Sequence, residues 1–257
     1  MNKDLKHYFS QQHAVITGGA SGIGAAIAER FIKTGMSVTL MGRSPDRLEK
    51  TAARLNASFQ PVDISHANEV SRGFSAAVEN NGPVTVLVNN AGNAETAPFT
   101  KMDIELWERM LAVNLTGTYL CTRSVVEPMT DRGFGRIINI ASTASLKGYA
   151  YVSAYCAAKH GVLGLTRALA IELAKKGITV NAVCPGYTDT ELVSRSLDII
   201  VKNTGMQRAQ ALSELTRNNP QDRLIRTEEI ADTVLWLCGP NSASVTGQAI
   251  AVAGGEV

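Results

Sequence analysis

Residues 142–159 read S-T-A-S-L-K-G-Y-A-Y-V-S-A-Y-C-A-A-K, and three of these side chains could do proton chemistry together. Tyr155 and Lys159 lie four apart, so a helix would present both on one face, one turn from each other. An ammonium beside a phenol favours the phenolate and lowers a pKa that otherwise lies near ~10. A tyrosine tuned in this way can exchange a proton with an alcohol or a carbonyl near neutral pH. Ser142 follows the apolar run 136–141, which reads as a strand, and its hydroxyl could bond the same oxygen. An isolated Y-x-x-x-K is more often an ordinary exposed pair on a helix. A dinucleotide site elsewhere in the chain is what changes that balance.

The elements that would position these groups alternate strand and helix. A β-prone run at 14–17 breaks into a turn containing Gly18, Ser21, Gly22, Ile23 and Gly24, spaced G-x-x-x-G-x-G. A helix follows with Ile23, Ile27, Ala28 and Phe31 on one face, ending near Gly35. Glycines let the backbone approach a pyrophosphate, and a helix N-terminus offers free N–H groups and a positive dipole end. The second strand, 37–41, leads to Gly42 and Arg43. An acid at that point would bind a ribose diol and favour NAD; a guanidinium can clasp a 2′-phosphate and favours NADP. The alternative for Arg43 is stacking on the adenine or plain solvation.

A helix at 45–55 precedes a third strand, 58–62, ending at Asp63 and Ile64. Asp63 could receive the adenine amino group or cap the next helix. The apolar strand 84–88 runs into Asn89, Asn90, Ala91 and Gly92, small and amide residues suited to close approach of a ligand, or to a turn. A helix over 107–123 places Met110, Val113, Leu115, Tyr119 and Leu120 inward and leaves Asn114 mid-helix, an unfavourable place for asparagine. Asn114 either bonds backbone or water in the core or belongs to the site. After the strand 136–141, the helix carrying Tyr155 and Lys159 continues apolar through Leu163, Leu165, Leu169 and Leu173. A strand at 179–184 closes on Pro185, Gly186, Tyr187, Thr188 and Thr190. Residues 191–220 mix helix and loop, with Arg195, Lys202, Arg208 and Arg217, and suit a lid or binding element around 190–220. A helix at 227–237, behind a Thr-x-x-Glu-like start, and a strand at 249–252 complete the chain; residues 1–12 suit a short helix or a loose arm.

Composition narrows the classes. With 257 residues and no linker or repeat, 1–257 reads as a single α/β domain able to bury a substantial core. A net charge of +2 without a basic cluster argues against nucleic acid. Cys121, Cys156, Cys184 and Cys238 are scattered, with no metal spacing, and read as buried thiols in a reducing compartment. No segment has the length of a membrane span or the pattern of a signal peptide, so the expectation is a soluble cytoplasmic protein.

Taken together, Thr17-Gly18-x-x-x-Gly22-x-Gly24, Asn89-Asn90-Ala91-Gly92, Asn114, Ser142, Tyr155-x-x-x-Lys159 and Pro185-Gly186 resemble the short-chain dehydrogenase/reductase family over nearly the whole chain. The resemblance implies a Rossmann-like, doubly wound parallel sheet of about seven strands in the order 3-2-1-4-5-6-7, and a homotetramer. It implies Tyr155 as proton donor and acceptor and Ser142 as the group holding the substrate oxygen. Lys159 would bind the nicotinamide ribose and lower the Tyr155 pKa, and Asn114 would anchor a water in a proton relay. Cofactor contacts would come from Gly18, Ser21, Gly22, Ile23, Gly24, Arg43, Asp63, Ile64, Asn90, Ala91, Gly92, Tyr155, Lys159, Pro185, Gly186, Thr188 and Thr190.

The expected reaction interconverts a ketone and a secondary alcohol, with NADP(H) placed ahead of NAD(H). The runs 133–142 and 245–249 look most like reductases of 3-oxoacyl thioesters, acetoacetyl groups or polyketides, so an acyl-CoA is a candidate substrate. The stretch Ala253-Gly254-Gly255 departs from the Asp-Gly-Gly of many relatives. Substrate walls are expected from Ser142, Ala144, Leu146, Tyr149, Tyr151, Tyr155 and Tyr187. Alternatives are an NAD-dependent dehydrogenase of a steroid, polyol or ring alcohol, and a nucleotide-sensing regulator without turnover. Loss of Tyr155 or Lys159 would have favoured the regulator; both are present. A sugar-nucleotide epimerase would bring a longer substrate domain and a G-x-x-G-x-x-G loop.

Overall fold

The computed structural model describes residues 3–257; residues 1 and 2 of the expected leading segment lie outside them. The rest of that segment is a helix, α1 (Lys3–Ser10), seated by buried Phe9 and by the Tyr8 hydroxyl, which donates to the Cys238 carbonyl at 3.2 Å. Strand and helix then alternate as β1 (His13–Thr17), α2 (Gly22–Ile32), β2 (Ser37–Gly42), α3 (Pro45–Leu55), β3 (Ser58–Pro61), α4 (Ala67–Asn81) and β4 (Val86–Asn89). The second half runs α5 (Ile104–Leu111), α6 (Gly117–Arg132), β5 (Gly135–Ile140), α7 (Ser153–Leu173), β6 (Ile178–Pro185), α8 (Glu191–Thr204), α9 (Arg208–Thr216), α10 (Thr227–Cys238) and β7 (Ala249–Val252). Every neighbouring strand pair is parallel, in the order β3-β2-β1-β4-β5-β6-β7 that the resemblance implied.

Strands β1, β4, β5 and β6 are buried from end to end, as strands covered on both faces must be. Successive side chains serve opposite faces. Ile16, Leu40, Val88 and Ile138 meet Ile27, Phe31, Leu48 and Val234 from α2, α3 and α10. Val15, Met41, Leu87 and Ile137 meet Val70, Phe74, Val125 and Met129 from α4 and α6. On that second face Asn89 and Asn139 are register partners, and each carries an amide into the core. Asn89 donates to Thr122 Oγ1 at 3.0 Å and to Asn139 Oδ1 at 2.9 Å; Asn139 donates to Thr166 Oγ1 at 2.8 Å. This chain of side-chain bonds ties β4 and β5 to α6 and α7 beside the ends of the strands.

Two elements differ from the sequence expectation. The helix expected at 107–123 belongs to a longer run, α5 to α6, interrupted by a π-turn at Ala112–Thr116. A π-turn adds a residue to the helical repeat, so a single 3.6-residue period fails across it. Tyr119, expected inward, is 45% exposed, whereas Asn114 is fully buried. The stretch 191–220 is mixed helix and loop as expected, its two helices, α8 and α9, packed through Val193, Leu197 and Ala211. The cap of α10 is Arg226, whose N–H donates to Glu229 at 2.8 Å; Thr227 is already helical. All four cysteines are buried and free, as expected.

Glu229 also receives both Arg223 guanidinium nitrogens at 2.8 Å. The Arg223 bonds, followed by that of the Arg226 N–H, hold its carboxyl down at about 2. Against ~4.3 in the unfolded chain, the stabilisation is fully present above that value and is lost as pH falls towards about 2. Glu229→Gln is therefore expected to lower Tm at neutral pH, and the deficit to vanish in acid. Thermal melts of both proteins across that range check it; a deficit independent of pH would contradict the assignment.

Candidate active site

The site is built at the carboxyl ends of the strands. Thr17 closes β1, and its Oγ1 accepts the Asn90 and Ala91 N–H groups, both at 3.0 Å. In return the Asn90 side-chain amide donates to the carbonyls of Thr17 at 3.0 Å and Gly18 at 3.1 Å. A methyl group on Gly18 would come within 2.9 Å of Ala91 Cα, and one on Gly24 within 2.3 Å of the Gly18 carbonyl oxygen. Only glycine fits these approaches. Ser21 caps α2 through its backbone without a side-chain bond, which leaves first-turn N–H groups open where the helix dipole is positive. At Gly22 (φ +52) a Cβ would meet the Thr190 methyl at 3.2 Å. The turn thus fits a dinucleotide pyrophosphate, with Ile23 half-buried beneath it.

At the next strand end Arg43 is exposed, with no ion pair among the described residues. Its charge reaches Asp63: burial raises the Asp63 pKa, but hydrogen bonds from Ser65 and the Arg43 and His66 charges outweigh it and hold the carboxyl below its ordinary value. Asp63 does not cap α4, a position held by His66; it closes a turn by accepting Ser65 N at 2.9 Å and Ser65 Oγ at 2.6 Å. Ile64 is buried against Gly117 at the start of α6.

Across the sheet, Ser142 follows β5 and the first turn of α7 carries Tyr155. The Ser142 Oγ accepts the Ala144 N–H at 3.1 Å, and the hydroxyl is near enough to the Tyr155 phenol to lower its pKa. Lys159 is 5% exposed; its ammonium donates to the Ile140 carbonyl at 2.9 Å and lies 5.7 Å from the Tyr155 ring centre. Burial pushes Tyr155 up to about 12, with the Ser142 hydroxyl opposing, and pulls Lys159 down to about 8. The net direction at Tyr155 is set by its partial burial, which disfavours the phenolate, while the Lys159 ammonium donates to a β5 carbonyl. Asn114, in the π-turn, donates to the carbonyls of Asn93 at 2.9 Å and Met110 at 3.0 Å, and accepts the Asn93 N–H at 3.3 Å. A Cβ on Gly92 would lie 2.7 Å from Asn114 Oδ1 and 3.6 Å from Lys159 Nζ, so these three residues meet at one point.

The remaining expected residues divide. Pro185 ends β6 and Gly186 turns after it; Thr188 is buried with its hydroxyl donating to the Gly186 carbonyl at 2.9 Å, and Thr190 caps α8. Ala144 is buried, Tyr149 half-buried, and Leu146 and Tyr187 sit at the edge of exposure. Tyr151 is 66% exposed at a left-handed φ of +67 and is not gathered with the others. Two residues that sequence reasoning missed are brought in instead. Tyr149 donates to Glu256 Oε1 at 2.5 Å, and Lys147 Nζ lies 3.1 Å from the same oxygen. A single acid after two glycines reads as solvated in sequence. Gly254 (φ +65) and Gly255 (φ +96) turn the chain so that it comes inward.

This arrangement can bind a dinucleotide and pass a proton to or from a bound oxygen, and the pattern of the short chain dehydrogenase family matches residues 12–196. The chain belongs to that family. As a short-chain dehydrogenase it is an oxidoreductase of the ketone/alcohol class. Its sequence is 40% identical to an acetoacetyl-CoA reductase of Rhizobium meliloti, covering 95% of this chain and 97% of the relative. It is 36% identical to a D-beta-hydroxybutyrate dehydrogenase of the same organism, covering 94% and 97%. A crystal structure of actinorhodin polyketide ketoreductase with NADPH superimposes with a TM-score of 0.93 at 38% identity, covering 96% of this chain and 98% of that one. Among the described residues no helix is long and apolar enough to cross a membrane.

Gly92→Ala is expected to press on the Asn114 carbonyl and lower kcat by about tenfold or more, while the sheet stays folded. Steady-state kinetics beside a thermal melt check this; unchanged kcat would show that the contact point of Gly92, Asn114 and Lys159 does not matter.

Proposed function

We propose that this short-chain dehydrogenase reduces the 3-oxo group of an acyl thioester, CoA-bound or carrier-bound, using NADP(H). The observation that carries the cofactor choice is Arg43, an exposed guanidinium at the end of β2 where a ribose-binding acid would stand for NAD. The relatives described above support the substrate class. When bound, a dihydronicotinamide supplies a hydride to the carbonyl carbon and leaves oxidised. Ser142 and Tyr155 hold the carbonyl oxygen, and Tyr155, protonated at neutral pH, gives it the proton that completes the alcohol. Lys159 holds the nicotinamide ribose, and Asn114 anchors a water through which a proton returns from solvent. The glycine turn with Ser21, Gly22 and Ile23 holds the pyrophosphate, and Asn90, Ala91, Gly92, Pro185, Gly186, Thr188 and Thr190 flank the rest of the dinucleotide.

Residues 1–257 act as one domain in this reading, and α8 with α9 forms a lid over the substrate. Ile104, Tyr119 and Ile171, exposed on the helices around Asn114 and Tyr155, support a homotetramer. A second reading is dehydrogenation of another secondary alcohol with NAD(H); the likeness to a D-beta-hydroxybutyrate dehydrogenase supports its alcohol half alone.

Cofactor oxidation followed with acetoacetyl-CoA and free ketones, with NADPH and with NADH, separates the two readings. Thioester turnover with NADPH is expected; turnover only with NADH or only on free ketones would overturn the first. Tyr155→Phe is expected to cut kcat by about a thousandfold or more with cofactor binding nearly intact, and substantial residual turnover would remove its assigned role. Arg43→Asp is expected to weaken NADPH far more than NADH in titrations of cofactor fluorescence, and equal effects on both would dismiss the phosphate contact.

A further inference from the structure

The Glu256 carboxylate has no part in the reaction just described, yet it is 3% exposed and lies among the residues expected to line the substrate. Its Oε1 takes the Tyr149 phenol proton at 2.5 Å and the Lys147 ammonium at 3.1 Å, and Lys147 also donates to the Glu256 main-chain carbonyl at 3.2 Å. Thr143 Oγ1 lies 2.7 Å from the Tyr149 oxygen. Since the one phenol proton goes to the carboxylate, the Thr143 hydroxyl is the donor in that bond. A continuous series of bonds thus runs from Thr143, next to Ser142, through Tyr149 to Glu256 and Lys147. The other carboxylate oxygen faces Gly186 beyond β6, where a Cβ would stand 3.2 Å away. Tyr187 completes the surroundings: burial raises its pKa, and the Glu256 charge raises it further.

Burying a carboxylate costs several kcal/mol unless it is paired. Residue 256 lies beyond β7, where the sheet asks for no charge. Lys147, its side chain 32% exposed, would otherwise present a partly dry cation on the same wall. Such a cation attracts a carboxylate on a substrate; the Glu256–Lys147 pair cancels it, and Glu256 adds repulsion.

We propose that Glu256 sets the charge selectivity of the substrate pocket, by neutralising Lys147 and engaging Tyr149, so that the pocket takes a 3-oxoacyl ester or thioester, uncharged at the carbonyl next to the reacting one, in preference to the free 3-oxo acid. This rests on the ketone-site reading above. A 3-oxo acid carries its carboxylate one methylene from the reacting carbonyl, and the Glu256 series of bonds begins at Thr143, next to Ser142.

The test compares kcat/KM for ethyl acetoacetate and for acetoacetate in the full-length protein, Glu256→Gln, Lys147→Met and the double variant, with thermal melts of each. The wild type is expected to favour the ester. Glu256→Gln is expected to move the ester-to-acid ratio towards the acid by on the order of tenfold, through KM for the acid. Adding Lys147→Met should abolish that gain, and Lys147→Met alone should move the ratio the other way. A wild type that prefers the acid, a ratio unmoved in the single variants, or equal losses on both substrates would overturn the proposal. If Glu256→Gln does not fold, Lys147→Met alone decides. A wild type inactive on both substrates with either cofactor overturns the ketone reading instead. Acetoacetate binding to the NADPH complex, read by fluorescence across the same variants, then decides the charge selectivity separately.

Discussion

The side-chain amide of Asn90 joins the ends of β1 and β4 by donating to the carbonyls of both Thr17 and Gly18, and the site depends on that junction. The Thr17 hydroxyl returns the bond to the Asn90 and Ala91 N–H groups, so neither strand end can shift alone. Gly18 and Gly24 lack side chains because the junction leaves no room for them. This is the place where strand order reverses, between β1 and β4, and where an open parallel sheet leaves a crevice for a ligand. From here α2 starts, and the β4 loop passes on to meet Asn114 and Lys159 at Gly92.

Burial governs the chemistry on the other side of the crevice. A partly buried phenol resists ionisation, and Tyr155 accordingly stays protonated above neutrality. A buried amine resists protonation, and Lys159 is drawn down towards about 8. In the proposed reduction this suits a residue that must hold a proton until an alkoxide develops beside it. The same low-dielectric surroundings strengthen every fixed charge near the substrate, and so give the Glu256–Lys147 pair its leverage.

The π-turn at Ala112–Thr116 shows how one local irregularity can serve the site while misleading a periodic reading. It carries Asn114 into the interior, where the side chain finds the Asn93 and Met110 carbonyls. The same extra residue takes Tyr119 off the buried face and out to solvent.

The alternation of short apolar runs and amphipathic helices determined a parallel sheet covered on both faces, because the central strands β1, β4, β5 and β6 are too apolar to face water and each helix has one face to bury. The glycine turn, Arg43 standing where an acid would end the second strand, and Tyr155 with Lys159 at helical spacing were legible for the same reason: each is a local relation between residues near in sequence. What only the tertiary structure decided depends on groups brought together from far apart. The Asp63 carboxylate could have capped a helix, but its bonds from Ser65 hold it in a turn instead. The net direction of the Tyr155 pKa is set by partial burial, which outweighs the Ser142 hydroxyl. Tyr151 adjoins its expected partners in sequence yet turns to solvent, while Glu256 comes to Tyr149 from 107 residues away. Spacing along the chain records none of this, because desolvation and long-range charge pairing exist only once the chain has closed around the site.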